Sequence, residues 1–140
     1  MRLKEKVAIV TGAARGLGRS FALRLAEEGA KVMAMNIVLR PKDEEDLDET
    51  ARRIKSLGGE VAIFHGDVTD VSQTLALADA TVKTFGKVDI LINNAAIYDG
   101  LKRKPFYEID PDEWDLVMRV NVKGAFLCTR AVFPSMRNQG

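Results

Sequence analysis

The sequence has a single cysteine and a single histidine. Cys128 has no partner with which to close an internal disulfide, so the chain is not a disulfide-stapled secreted scaffold. His65 has no carboxylate or second histidine at ligand spacing, and no metal site is expected. With 21 basic and 20 acidic residues the net charge is +1, which leaves no electrostatic case for nucleic acid or a membrane surface. No apolar run reaches membrane-spanning length, and the first is too short for a signal-peptide core. Internal repeats, low-complexity tracts and flexible linkers are absent too. The expectation is a cytoplasmic enzyme or binding domain.

What is present is an ordinary globular balance, 46% hydrophobic and 29% charged over 140 residues, suited to one domain with a sizeable core. Strand-like and helix-like segments alternate along it. Val7 to Val10 reads as a strand and Gly16 to about Glu28 as a helix, with Gly29 as its left-handed cap. In that helix Leu17, Phe21, Leu25 and Glu28 fall at helical spacing, leaving Arg19, Arg24 and Glu27 for solvent. Lys31 to Asn36 is a second strand. Asp43 to Leu57 is a second helix, acidic at its start and basic at its end as the helix dipole favours. Asp48 and Glu49, four residues before Arg52 and Arg53, add ion pairs on a solvated face. Glu60 to Phe64, Ser72 to Phe85 and Val88 to Asn93 give the third strand, third helix and fourth strand. A long last helix starts at Asp110-Pro111-Asp112-Glu113, where Asp110 suits the N-cap and Glu113 a capping box. Pro134 is expected to kink or end it.

This alternation predicts an α/β fold with a doubly wound parallel sheet. Right-handed crossovers place the strands in the order 3-2-1-4, so the aliphatic fourth strand sits at an edge. A bare aliphatic edge is an aggregation liability, which leads to the expectation that residues 1–140 are one domain lacking its C-terminal part.

The chemistry is carried first by Thr11-Gly12-Ala13-Ala14-Arg15-Gly16-Leu17-Gly18, running from the first strand into the first helix. Unpartnered N–H groups and the dipole at a helix N-terminus favour phosphate, and glycines let the backbone approach it closely. Three further features stand where such a fold would use them: Asp67-Val68 after strand three, Asn93-Asn94-Ala95-Ala96 at the end of strand four, and Asn121 in the last helix. Together they resemble the short-chain dehydrogenase/reductase family, from Lys6 to Gly140. The resemblance implies a Rossmann-type fold, an NAD or NADP cofactor and interconversion of an alcohol with a ketone or related carbonyl.

It also implies roles. Gly12, Gly16 and Gly18 match the loop that cradles the pyrophosphate, with a backbone contact from Leu17 and with Thr11, Ala14 and Arg15 completing the loop. Asp67 and Val68 match the pair at the adenine. Asn94, Ala95 and Ala96 match the stretch beside the adenine ribose, and Asn93 a residue that ties the central strands together. Asn121 matches the asparagine of the catalytic tetrad, whose backbone carbonyl holds a water in the proton relay. At the end of strand two, Asn36 replaces the carboxylate that would repel a 2′-phosphate. Arg15 is a charge-assisted donor within the loop, so the cofactor reading leans slightly to NADP.

The family's serine, and its tyrosine and lysine on a later helix, have no counterpart here. Tyr98-Asp99-Gly100-Leu101-Lys102 matches Tyr-x-x-x-Lys only as a string, because it lies in a glycine-containing loop. Residues 1–140 alone are therefore expected to lack turnover. Lys102, Arg103 and Lys104 read as a solvated loop. Trp114, Val117, Val122, Phe126 and Phe133 line the last helix, which packs against its counterpart in the family, and self-association is expected. The reading of a different class is a non-catalytic dinucleotide-binding or scaffold protein ending naturally at residue 140.

Overall fold

Apolar side chains alternate along the strands and supply both faces of a parallel sheet, whose register places Ile9 beside Met33 and Val10 beside Ala34. The computed structural model describes residues 1–98 and 100–139. Its strands are β1 (Val7–Thr11), β2 (Lys31–Asn36), β3 (Val61–His65) and β4 (Ile90–Ile92), in the order β3-β2-β1-β4. The helices are α1 (Gly16–Glu27), α2 (Pro41–Ser56), α3 (Val71–Phe85), α4 (Pro111–Met118) and α5 (Gly124–Gln139). Ile9, Met33 and Met35 point to one side, where they meet Leu77 of α3 and Cys128 and Val132 of α5. Val10, Val32 and Ala34 point to the other, against Ala22 and Ala26 of α1 and Leu47 and Ile54 of α2. Full burial of each large side chain in these layers contributes about 1.5–3 kcal/mol. Burial also pushes the Cys128 thiol up to about 11, consistent with a packed, unreactive side chain.

The contact of α1 with the sheet is made by small residues. On α1 the buried residues are Gly18, Ala22 and Ala26, while Leu17 and Phe21 are exposed. This reverses the face expected from the larger apolar residues. Small residues win because they let the helix axis lie close to β1 and β2. Arg19 is likewise not a solvent residue: it lies half-buried between α1 and α2, donating to Thr50 and Asp46 of α2 and to Ala14 O in the glycine turn.

The second helix begins at Pro41, two residues earlier than the acidic run suggested. Proline suits the first helical position, and Asp43 then becomes the third residue, its carboxylate accepting from the N–H groups of Arg40 (3.0 Å) and Leu39 (3.2 Å). Glu49 takes both basic partners, Arg52 and Arg53. At the last helix, Asp110 accepts from the N–H of Asp112, while Glu113 pairs with Lys104 instead of completing a capping box.

That last helix is not continuous in kind. A π-helical turn over Arg119–Lys123 separates α4 from α5, and turns of this type are frequent at functional sites. Pro134 does not end α5, which runs on to Gln139. The ring is exposed, and the Gln139 amide anchors the following turn by donating to Val88 O (2.9 Å) and Ser135 O (3.0 Å).

β4 pairs only with β1 among the described residues. Just before it, Asp89 accepts from the Val7 N–H (2.8 Å) and pairs with Lys87 and Lys6. Burial alone would raise its pKa, but these bonds outweigh it and hold the carboxyl below its usual value.

The N-terminal segment is pinned in the same way. Glu28 accepts from the Arg2 N–H (3.0 Å) and pairs with the guanidinium groups of Arg2 and Arg24. The Arg2 bonds hold its carboxyl down to about 2, from an ordinary 4.5. A depressed carboxylate stabilises the fold above its unfolded pKa and loses that contribution as pH falls through the folded value. Glu28→Gln is therefore expected to lower the urea midpoint at neutral pH, with the gap to the parent closing between about pH 4.5 and 2. A gap independent of pH across that window would refute the assignment.

Candidate functional site

The crossover from β1 to both neighbours opens a crevice at the C-terminal ends of the strands, where open α/β sheets bind ligands. A cavity of about 700 Å³ occupies it. Most of the residues singled out in sequence line this one cavity: Gly12, Ala14, Arg15, Gly16, Leu17 and Gly18 from the glycine turn, Asn36 from β2, Asp67 and Val68 after β3, and Asn94, Ala95 and Ala96 after β4. Residues far apart in sequence converge because all four segments leave the same sheet edge.

The turn itself is built by close approach. A Cβ on Gly18 would lie 1.9 Å from Gly12 O and 2.6 Å from Asn94 Nδ2, so only glycine fits beneath the turn. Gly16 has φ +55 and open space where its Cβ would be; here the left-handed backbone, not crowding, requires glycine. Arg15, extended at φ −154, immediately precedes α1 without a side-chain cap on the helix.

Thr11 does not line the cavity but lies buried below it. Its hydroxyl accepts from Asn94 N (3.1 Å) and Ala95 N (3.0 Å) and donates to Ile92 O (3.3 Å). The Asn94 amide returns two bonds, to Thr11 O and Gly12 O, both at 3.1 Å. Asn94, not Asn93, is thus the residue that ties β1 to β4. The Asn93 amide reaches outward to Thr129 of α5 (3.1 Å).

Around the rest of the rim, the Asn36 amide donates to Ile37 O (2.7 Å). Asp67 accepts from the N–H and hydroxyl of Thr69, both at 2.8 Å, forming an Asx turn beside the cavity. Val68 is held by α5, where a Cβ on Gly124 would lie 2.6 Å from its Cγ2. Asn121 sits in the π-helical turn and outside the cavity lining. Its Oδ1 accepts from Ile97 N (2.7 Å) and its Nδ2 donates to Ile97 O (2.9 Å). This paired bond, like one rung of a sheet, fixes the segment leaving β4. Tyr98 lines the cavity and is 80% exposed. Neither it nor Lys102 is in a helix, and Asp99 between them lies outside the described residues, as does Gly140.

Sequence reasoning missed Arg40, Asp43 and Asp46, which line the cavity beyond Asn36. The Arg40 guanidinium beside Asp43 holds that carboxyl below the usual range. The available signal was Pro41: placing it first in α2 brings Arg40 and Asp43 to the rim. Among the described residues no three metal-ligating side chains come together, and no helix is long and apolar enough to cross a membrane.

A parallel sheet in this order, with a glycine turn and an asparagine lock over one crevice, defines a Rossmann-type nucleotide-binding architecture. The sequence pattern described as short chain dehydrogenase matches residues 6–140. The chain belongs to the short-chain dehydrogenase family. It is 39% identical to an uncharacterized oxidoreductase of Thermotoga maritima, over 100% of this chain and 52% of that protein. A 2-dehydro-3-deoxy-D-gluconate 5-dehydrogenase of Dickeya dadantii is 37% identical over 99% of this chain and 51% of its own length. Among solved structures, carveol dehydrogenase from Mycobacterium avium in complex with NAD superposes with a TM-score of 0.90 at 31% identity, covering 99% of this chain and 52% of that one. The chain thus spans about half the length of each of these three relatives.

Proposed function

We propose that these 140 residues are the cofactor-binding domain of an NAD(P)-dependent oxidoreductase that interconverts an alcohol and a carbonyl compound, and that the domain is incomplete on its C-terminal side. The single observation that carries the reading is the convergence of the glycine turn, Asn36, Asp67-Val68 and Asn94-Ala95-Ala96 on one cavity. The half-length match to dehydrogenases supports it. The residues suit a dinucleotide: a Cβ-free turn opens onto the cavity at a helix N-terminus, where N–H groups and the dipole favour phosphate.

In this reading Gly12, Gly16, Gly18 and the backbone of Leu17 hold the pyrophosphate, with Thr11 and Ala14 shaping the turn. Asp67 and Val68 bound the adenine, and Asn94, Ala95 and Ala96 the ribose. Asn36 and Arg15 admit a 2′-phosphate, Asn36 because it carries no charge to repel one and Arg15 as a donor. NADP is slightly favoured, and NAD, bound in the carveol dehydrogenase structure, is the other choice. When bound, the nicotinamide supplies the hydride donor or acceptor. Asn121 contributes its backbone carbonyl to a proton relay, held in place by the paired bond to Ile97. The partner is a small-molecule alcohol or carbonyl substrate, not nucleic acid or membrane. The setting is the cytoplasm, with self-association through the apolar residues of α4 and α5.

Titrating the chain with NADH and NADPH, followed by nicotinamide fluorescence, is expected to give saturable binding. The same chain, offered a panel of alcohols with either oxidised cofactor, is expected to give no turnover, because a positioned general acid or base is worth about a hundred- to ten-thousand-fold. Failure to bind either dinucleotide would overturn the binding assignment. Measurable turnover would overturn the assignment of proton transfer to residues outside this chain.

A further inference from the structure

We propose that Arg19 and Thr50 form a clasp that sets the direction of the peptide groups in the glycine turn, making both of them positioning residues for phosphate binding. The inference rests on the dinucleotide reading of the cavity. Arg19 and Thr50 are not among the residues lining that cavity, so any effect they have on a ligand passes through the turn.

The geometry is specific. Arg19 keeps only 18% of its side chain exposed. Its Nη2 donates to Ala14 O (2.5 Å) and to Asp46 O (2.8 Å), and its Nε donates to the Thr50 hydroxyl (2.9 Å). Thr50 is fully buried on α2. Its hydroxyl donates to Ala13 O at 2.9 Å, with Ala14 O and Asp46 O each at 3.2 Å. Burying a guanidinium is costly unless its donors are met, and two of the acceptors that meet them are Ala14 O in the turn and Asp46 O on α2.

In a planar trans peptide the carbonyl and the following N–H point in opposite directions. Drawing Ala13 O and Ala14 O toward α2 therefore turns the N–H groups of Ala14 and Arg15 away from it. Ala14 and Arg15 both line the cavity. The clasp thereby presents amide donors at the start of α1, where a phosphate would sit. A lysine at position 19 has no planar fork to span three acceptors, and a valine at position 50 keeps the shape but leaves Ala13 O unmet.

The test is to titrate the full chain with ADP and, separately, with adenosine, for the parent and for Thr50→Val, Thr50→Ser and Arg19→Lys. Thr50→Val and Arg19→Lys are expected to weaken ADP roughly tenfold while adenosine stays within about twofold. Thr50→Ser, which keeps the hydroxyl, is expected to bind ADP like the parent. Equal weakening of both ligands, or no weakening of ADP, overturns the clasp. If Thr50→Val does not fold, the contrast between Arg19→Lys and Thr50→Ser decides in the same way. A parent chain that binds neither ligand overturns the dinucleotide reading itself, and the clasp with it. A parent that binds both, with unchanged variants, overturns the clasp alone.

Discussion

Gly18→Ala is expected to destabilise the protein by roughly 3 kcal/mol or more, lowering the melting temperature by about 10 °C, and to abolish dinucleotide binding. The added methyl would lie 1.9 Å from Gly12 O and 2.6 Å from Asn94 Nδ2. Neither neighbour is the loose end of a flexible side chain. Gly12 O is backbone, and the Asn94 amide is committed to Thr11 O and Gly12 O. Relief requires α1 to lift from the turn, which breaks those bonds and opens the Ala-lined layer behind it. Gly16→Ala makes the useful contrast. Its new Cβ would meet nothing within 4 Å, so only the left-handed backbone is penalised, by about 1 kcal/mol. Thermal melts of the two variants are expected to separate clearly. Equal losses would mean that the Gly18 contact relaxes without consequence.

Thr11→Val is expected to cost about 2–3 kcal/mol, read as a shift in the urea midpoint at unchanged slope. The substitution preserves volume and removes only the hydroxyl. The Asn94 N–H retains a second acceptor in Ile92 O (3.1 Å), but the Ala95 N–H loses its bond to the Thr11 hydroxyl. A donor left without a partner near the core costs its desolvation, about 1–3 kcal/mol. Thr11→Ser keeps the hydroxyl and is expected to lose only about 1 kcal/mol for the missing methyl. If valine and serine proved equally costly, packing alone would explain the position.

The strand order, the parallel topology and the sheet-edge position of the glycine turn were legible because they follow from local signals. Apolar runs alternate with helical periodicity, and glycines stand at the ends. The convergence on one cavity was legible only through the resemblance, since nothing in the composition brings Asp67 to Asn94. What escaped was decided by close packing. Leu17 and Phe21 have the greater hydrophobicity, yet Gly18, Ala22 and Ala26 take the sheet, because proximity of the helix axis outweighs side-chain size. Arg19 looked like a solvated charge and is instead a structural donor, a role set by Thr50 on another helix. The π-helical turn at Asn121 has no periodicity signal of its own, and the partner of its asparagine, Ile97, lies 24 residues away in sequence.

The small-residue stripe on α1 has a mechanical consequence. Gly18 and Ala26 lie about 12 Å apart along the helix axis, with only methyl groups or hydrogens between that axis and the sheet. The helix therefore behaves as a stiff lever resting on a thin bearing. Enlarging Ala26, at the far end from the crevice, would act as a shim that pivots the near end, displacing the Gly16-Leu17-Gly18 peptides without touching them. Sequence drift along the whole underside of α1 is thus constrained by the geometry of a turn that most of those residues never contact.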